Sequence, residues 1–156
     1  MTKSKVLMIV AFLVTVLGLA YAKLATKTGE HIHYHAGFVV YIDGVKQDYS
    51  DYKYMNFVPC SQHDEKKSAA EEQIEKAHLH DGVGDVVHVH RSGSKWGDLF
   101  KNIGVTLPSD LAILKQTIEP NSSIVITIGK EVGNLEKVTL EHIKEVESKS
   151  ELCASN

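Results

Sequence analysis

The sequence predicts an α+β domain in which helices pack against a small mixed or antiparallel sheet. Two observations carry this prediction. Residues 31–42 alternate with the period of a strand, and residues 94–103 and 134–149 space their apolar side chains as amphipathic helices do. With 43% apolar and 24% charged residues, the chain also has the composition of a globular protein. We therefore expect one folded domain.

The first hairpin is predicted from residues 31 to 49. One alternate set of the first strand consists of His31, His33, His35, Gly37, Val39 and Tyr41, and the other consists of Ile32, Tyr34, Ala36, Phe38, Val40 and Ile42. Asp43-Gly44 is a two-residue turn signal, so the chain should return through Val45 to Tyr49. Lys53–Cys60 is a candidate for a further extended piece.

A second hairpin is predicted between residues 78 and 90. His78-Leu79-His80 and the run from Val86 to His90 flank residues 81–85, whose glycines and aspartates suit a turn. Residues 64–76, which precede this hairpin, are rich in Lys, Glu and Ala and predict a solvated helix or lid.

The remaining elements alternate between helix and strand. Residues 94–103 predict a short helix that ends at Gly104 and covers the sheet with Trp96 and Phe100. Residues 110–117 predict one or two helical turns, and residues 124–128 a β-branched strand. Asn134 is the candidate cap of a helix that runs to Lys149. This order of elements is similar to a β-grasp.

The N-terminus has the three parts of an export signal. Lys3 and Lys5 precede an apolar run, and Ala20-Tyr21-Ala22 forms a cleavage motif. The run is also at the short limit for a membrane-spanning helix, so a cleaved signal peptide and an uncleaved anchor both stay open. We expect residues 1–22 to be this segment, residues 23–30 a linker, residues 31–149 the domain and residues 150–156 a polar tail. The protein should then be secreted, periplasmic or tethered to the outer face of the cytoplasmic membrane.

Charge and cysteines limit the partners. Removing residues 1–22 takes away two lysines and no acid, which increases the acidic excess and argues against a nucleic-acid partner. Cys60 and Cys153 would both lie in an oxidising compartment after export. A disulfide, a metal-binding thiolate and a free thiol remain open for them, because Cys60 also begins a short stretch that ends at His63.

The histidines are the most informative residues. The paired histidines stand two apart and are separated by apolar residues: His31, His33, His35, His78, His80, His88 and His90. Successive side chains of a strand point to opposite faces, so the apolar set can enter the core while the imidazoles share the other face. Neighbouring strands lie about 4.8 Å apart, which lets ring nitrogens converge on one ion at about 2.0–2.1 Å. The pattern predicts a transition-metal site.

The type of ligand selects zinc first and copper second, because imidazole suits these metals whereas calcium and magnesium prefer oxygen. Seven imidazoles are more than one zinc ion requires. The additional imidazoles would bind a second ion or orient the ligands of the first. Asp81 and Asp85 either orient ligand rings or only form the turn. A polar sheet face without metal and a pH switch are the competing interpretations of the same histidines.

The chain resembles a group of small exported, histidine-rich prokaryotic proteins of unknown function. The resemblance rests on His78-Leu-His-Asp81, Val87-His-Val89 and Trp96-Gly-Asp-Leu-Phe-Lys101, together with a histidine-alternating strand that leads to an Asp-Gly hairpin. It covers about residues 31–105. It implies export and this architecture but no mechanism.

Three functions remain for such a chain. The first is an extracytoplasmic metal-binding protein that acts as a buffer, chaperone or sensor. The second is a zinc enzyme of hydrolase or hydratase type, in which three histidines hold the metal and a bound water attacks the substrate. The third is a non-catalytic surface or assembly module, a homo-oligomer included, in which the metal is structural. The number of bound ions and the ease of their exchange separate the first from the second.

Overall fold

The computed structural model describes residues 31–57, 67–130 and 133–150. These ranges hold four strands and three α-helices: β1 His31–Ile42, β2 Val45–Lys46, α1 Ala69–Lys76, β3 Val86–Arg91, α2 Trp96–Asn102, β4 Ser123–Ile128 and α3 Leu140–Lys149. The predicted export segment and linker, Cys60, His63, Cys153 and the end of the tail lie outside the described residues. Within the described ranges, no helix has both the length and the apolar character needed to cross a membrane.

β1 is the centre of a mixed sheet. Its first half pairs antiparallel with β3, and His35 stands opposite His88. Its second half pairs in parallel with β4 from Gly37 to Ile42, and its end pairs antiparallel with β2. The prediction of an α+β fold with a mixed sheet is confirmed, and the likeness to a β-grasp stays a prediction.

The first hairpin turns where the sequence predicts it. Asp43 and Gly44 both have positive φ, at 50° and 87°, which is the backbone of a two-residue turn whose twist matches the flanking strands. The returning strand β2 is only two residues long, although the backbone N–H of Gln47 still donates to the carbonyl of Val40 over 2.8 Å. Tyr49 then enters the core.

One face of the sheet forms the main core. Phe38, Val87 and Val89 pack there against Trp96 and Phe100 of α2. Full burial of each large apolar side chain stabilises the fold by about 1.5–3 kcal/mol. The interpretation of the Trp96–Phe100 segment as core packing is confirmed, and so is the helix stop, because Gly104 has a φ of 70°.

The opposite face of the sheet is covered as well. Val39 and Val86 pack there against Val138 and Ile143, which belong to α3 and the segment that leads into it. The prediction that Asn134 caps this helix is wrong. The helix begins at Leu140, and the hydroxyl of Thr139 accepts a hydrogen bond of 3.2 Å from the backbone N–H of His142.

The middle of the chain differs from prediction in three places. Residues 52–54 form a 3₁₀ turn instead of an extended piece, and Met55 makes an isolated bridge to Leu79. The second hairpin forms through one bridge, between His78 and His88, where the two backbones exchange hydrogen bonds of 3.0 and 2.9 Å. The helix predicted for residues 64–76 is described from Ala69, and it is not fully solvated because Glu75 is buried.

The close approach of Val138 to Gly37 supports a stability prediction. A Cβ on Gly37 would lie 2.5 Å from Cβ of Val138, so Gly37→Ala should force the segment before α3 away from the sheet. We expect a loss of about 1–3 kcal/mol in the free energy of unfolding, measured by denaturant titration. Gly133→Ala is the matched control, since a Cβ added at Gly133 would meet no atom within 4 Å. Equal stability of the two variants would contradict this packing.

Candidate metal centre

Six of the seven paired histidines come together on one face of the sheet. β1 contributes His33 and His35, β3 contributes His88 and His90, and the segment paired with β3 contributes His78 and His80. We call these six residues the histidine cluster. The apolar residues between them, Tyr34, Leu79 and Val89, pack with the main core on the other face. The period-two pattern therefore separates imidazoles from core as the sequence analysis expected.

The rings lie against one another across the strands. The centroids of His33 and His90 are 4.9 Å apart, and those of His90 and His78 are 5.1 Å apart, with ring planes within 7° and 9° of parallel. The ring of His88 lies 4.0 Å from that of His35 and 3.3 Å from that of His80. A β-bulge near His33 shifts the register of β1 against β3 next to this site.

Three members of the cluster lie close enough to hold a metal ion. One nitrogen from each of His33, His35 and His88 lies within 4.8 Å of the others. Ligands of one tetrahedral zinc ion, each about 2.0–2.1 Å from the metal, stand roughly 3.3 Å from each other. The three nitrogens must therefore move closer together when an ion binds. The group can thus supply three imidazole nitrogens to one ion.

Most of the cluster is hidden from solvent. His35, His78, His80, His88 and His90 are each at most 3% exposed, whereas His33 is exposed. The sequence places the imidazoles opposite the core correctly, but it does not show that α3 covers this second face. The candidate site is consequently a buried one with a single exposed member.

The contacts of His35 favour a proton on its Nδ1. Nε2 of His35 lies 2.7 Å from Nδ1 of His88, so one of these two atoms must donate to the other. Nδ1 of His35 faces a carboxylate oxygen of Glu147 at 3.6 Å, which favours a proton on that nitrogen. His88 then donates from Nδ1, and the lone pair of His35 is on Nε2. At 3.6 Å the contact with Glu147 is electrostatic, and Nδ1 of His35 has no hydrogen-bond partner among the described residues.

His78 and His80 are oriented in the same way. Nδ1 of His78 lies 3.1 Å from the carbonyl oxygen of Ile74, which can only accept, so the lone pair of His78 is on Nε2. Nδ1 of His80 lies 2.6 Å from the carboxylate of Asp81, and the lone pair of His80 is likewise on Nε2, where the hydroxyl of Ser150 lies at 3.5 Å.

Two buried nitrogens of the cluster carry lone pairs without a partner in the described ranges. The Nε2 atoms of His78 and His88 are buried and have no hydrogen-bond partner among the described residues. A buried polar atom left unpaired costs about 1–3 kcal/mol. A metal ion can bind to the lone pairs of these nitrogens.

The imidazoles are held in the neutral form that binds metals. Burial, together with neighbouring histidines, lowers the pKa of His35 to about 3. Burial lowers the pKa of His78 to about 4, although the hydrogen bond to Ile74 opposes it. Burial also lowers the pKa of His80 and, well below its ordinary value, that of His88. At neutral pH each of these four rings keeps a lone pair.

Other predicted residues fall outside the cluster. The backbone of His31 pairs with Arg91, and its imidazole, like Cys60 and His63, lies outside the described part of the chain. Asp81 contacts the cluster histidine His80, whereas the carboxylate of Asp85 lies 3.1 Å from Nε2 of His142 on α3.

Sequence reasoning missed Glu147 and Ser150. Both approach cluster histidines from the C-terminal end of the described chain, more than fifty residues away from any of the HxH pairs. The helical spacing of Leu135, Val138 and Ile143 indicates a packed helix, but no local signal tells which part of the sheet such a helix covers.

No family model, no curated protein and no solved structure matches this chain.

The lowered histidine pKa values predict a pH-dependent stability of the metal-free protein. Above about pH 6.5 the imidazoles are neutral in both the folded and the unfolded chain, so their contribution is complete. Below it the unfolded chain takes up protons that the buried rings refuse, and the free energy of unfolding falls. Each such histidine contributes roughly 1.4 kcal/mol per pH unit. Denaturant titrations with a chelator, followed by Trp96 fluorescence, measure this slope.

The informative window lies between about pH 6.5 and about pH 5, where most carboxylates stay ionised. His88→Gln should reduce the slope in this window, because a glutamine side chain does not titrate. A free energy of unfolding that stays constant across the window would contradict the burial of neutral imidazoles.

Proposed function

We propose that this chain is an extracytoplasmic protein that binds a transition metal through the histidine cluster. The observation that carries the proposal is the group of His33, His35 and His88, whose nitrogens lie within 4.8 Å of one another. The neutral state of the buried rings supports it, since protons and metals compete for the same lone pairs. The protein would then buffer, deliver or sense this metal.

Zinc is the first candidate and copper the second. The cluster offers imidazole nitrogens, which suit both metals, and the nearby carboxylates of Asp81 and Glu147 face ring nitrogens. That is the arrangement in which an acidic side chain orients a ligand instead of binding the ion. The oxygen-rich shell that calcium requires is not what these side chains form.

Binding is favoured over zinc-enzyme catalysis by the position of a cavity beside α3. This cavity of about 670 Å³ is lined by aromatic residues Tyr52 and Phe57 and by polar residues of α3, among them His142. Its lining includes Asp81 but no member of the histidine cluster. Asp81 of this lining contacts His80, but the lining itself supplies no imidazole of the cluster, and a carrier needs no substrate pocket.

Exposure of His33 supports exchange of the ion. The other five cluster histidines are buried, so an incoming ion meets His33 before it meets His35 or His88. A carrier has to take up and release its ion, and an exposed ligand offers a step at which a competing ligand can enter. The metal-bridged homo-oligomer predicted from the sequence would use the same exposed ring.

The location outside the cytoplasm is part of the proposal. It rests on the basic and apolar N-terminal segment with its Ala20-Tyr21-Ala22 motif, and on the resemblance to small exported histidine-rich prokaryotic proteins. A carrier at the outer face of the cytoplasmic membrane would meet metal ions before they enter the cell.

Metal binding is tested with the purified full chain in a mild detergent. We expect zinc binding, measured by isothermal titration calorimetry after chelator treatment, to weaken at least tenfold in His88→Ala, because one of three grouped nitrogens is lost. Copper is titrated in parallel to rank the two metals, and the mass of the loaded protein reports whether metal joins two chains.

His142→Ala is the matched control for this titration. His142 lies on α3 with a partly exposed side chain and contacts Asp85 instead of the cluster. This variant should bind zinc as the unaltered chain does. If the unaltered chain takes up neither zinc nor copper above background, the proposed function is wrong.

Export is tested with a fusion to alkaline phosphatase, which folds only where disulfides form. Attached after Asn156, the reporter should be active in cells, and deletion of residues 1–22 should abolish its activity because the export segment is lost. Whether residues 1–22 stay on the mature chain is read from its mass. Activity that does not depend on residues 1–22 would contradict the proposed location.

A further inference from the structure

Among the described residues, the outer side of β4 pairs with no other strand. β4 lies beside β1 in parallel, and the residues at its even-numbered positions form the hydrogen bonds between them. The backbone N–H of Gly37 donates to the carbonyl of Ser122, and that of Asp43 donates to the carbonyl of Ile128, over 2.8 Å each. The alternate residues of β4 therefore direct their N–H and C=O groups away from β1. In the described part of the sheet, β1 is the one strand that β4 pairs with.

β4 lacks the features that keep an edge strand from pairing with another chain. Natural edge strands are protected by charged side chains, prolines, bulges or a very short length. β4 has six residues, Ser-Ile-Val-Ile-Thr-Ile, and contains neither a charge nor a proline. By contrast, β2 has only two residues and includes Lys46. Of these two strands, β4 is the one that can accept a further strand.

Both faces of β4 carry side chains that an added strand would cover. Ile124, Ile126 and Ile128 pack with the main core, and Val125 packs with the residues under α3. Ile124 and Ile128 are only partly buried, and Thr127 is exposed. A strand added beside β4 would remove apolar surface of these isoleucines from water, which favours its addition.

The sequence of β4 can pair with itself in the antiparallel orientation. When two copies meet about a two-fold axis at Val125, Ser123 stands opposite Thr127 of the second copy, and Ile124 stands opposite Ile126. The three outward residues of each copy then exchange backbone hydrogen bonds with those of the other. Apolar pairs across the strands stabilise this arrangement, and no charged residue faces a like charge.

Charged residues beyond the two ends of β4 fit the same orientation. Glu119 precedes the strand and Lys130 follows it, and both are exposed. Antiparallel pairing brings Glu119 of one copy to the end at which Lys130 of the other copy lies, so opposite charges meet. A parallel pairing would place like charges side by side. The charges thus favour the antiparallel orientation of a second copy.

We propose that two copies of this chain join through β4 and form one continuous sheet across a two-fold axis. The proposal is independent of the metal site, because β4 contains no histidine. It also differs from a metal bridge at His33, since backbone groups make the contact. A pairing of six residues on each side falls below the roughly 1,200 Å² of a standard interface, so the dimer dissociates on dilution.

The experiment measures the mass of the full chain in a mild detergent that contains a chelator. Sedimentation at increasing protein concentration should show a shift from monomer to dimer. Thr127→Pro should raise the dissociation constant about tenfold or more, because each copy loses an outward N–H and the dimer loses two hydrogen bonds. The pairing of β4 with β1 should persist, since the N–H of Thr127 points away from β1. Thr127→Ala keeps this N–H and is the matched control, which should dimerise as the unaltered chain does.

The outcomes decide whether β4 is the interface. A chain that stays monomeric at every concentration overturns the proposal, and so does a dimer of equal strength in Thr127→Pro, because another surface then joins the copies. A dimer that forms only when zinc replaces the chelator also overturns it and indicates a metal bridge. None of these results changes the zinc titration that tests the proposed function.

Hydrogen exchange decides if circular dichroism shows that Thr127→Pro is unfolded. In the unaltered chain, the amides of Val125 and Thr127 point outward and should exchange more slowly as the protein concentration rises, because the dimer protects them. Exchange at these two amides that does not depend on concentration overturns the proposal.

Discussion

The register of β1 against β3 is the constraint on which the rest of the structure depends. Because His35 stands opposite His88, the described imidazoles of these two strands face one side of the sheet, and the residues of the main core face the other. A slip of β1 by one residue would send Phe38 out of the main core and the histidines of β1 into it. One set of backbone hydrogen bonds therefore specifies both the main core and the histidine cluster. A shifted register would disrupt both of them.

Burial of the histidine cluster shows a conflict between stability and ligand binding. The fold supplies acceptors for the Nδ1 protons of His78 and His80. Within the described part of the chain, Nε2 of His78 has no hydrogen-bond partner, and a buried unpaired group of this kind costs about 1–3 kcal/mol. A buried nitrogen without a partner destabilises a polar sheet face that binds no ligand. In a face that binds an ion, the free energy of metal binding offsets this cost of burial.

Much of this could be predicted from local patterns, and the remainder depends on contacts between distant residues. Period-two alternation identifies β1, and Asp43-Gly44 identifies its turn, because both signals act over a few residues. The start of α3 could not be predicted, because local signals do not choose between Asn134 and Thr139 as its cap, and the approach of Val138 to Gly37 joins residues about a hundred positions apart. The contact of Glu147 on α3 with His35 likewise joins distant parts of the sequence.

The helix that covers the cluster belongs to the site although it contributes no cluster histidine. By packing Ile143 on the sheet, α3 excludes water from the second face, and burial is the largest cause of the lowered pKa values of His35 and His88. The same helix brings Glu147 towards Nδ1 of His35, which leaves Nε2 as the ligand atom. A sheet with the same histidines but without this helix would present solvated rings that protonate near their ordinary pKa. Covering the face thus keeps the imidazoles neutral, and orientation by the helix decides which nitrogen is available to a metal.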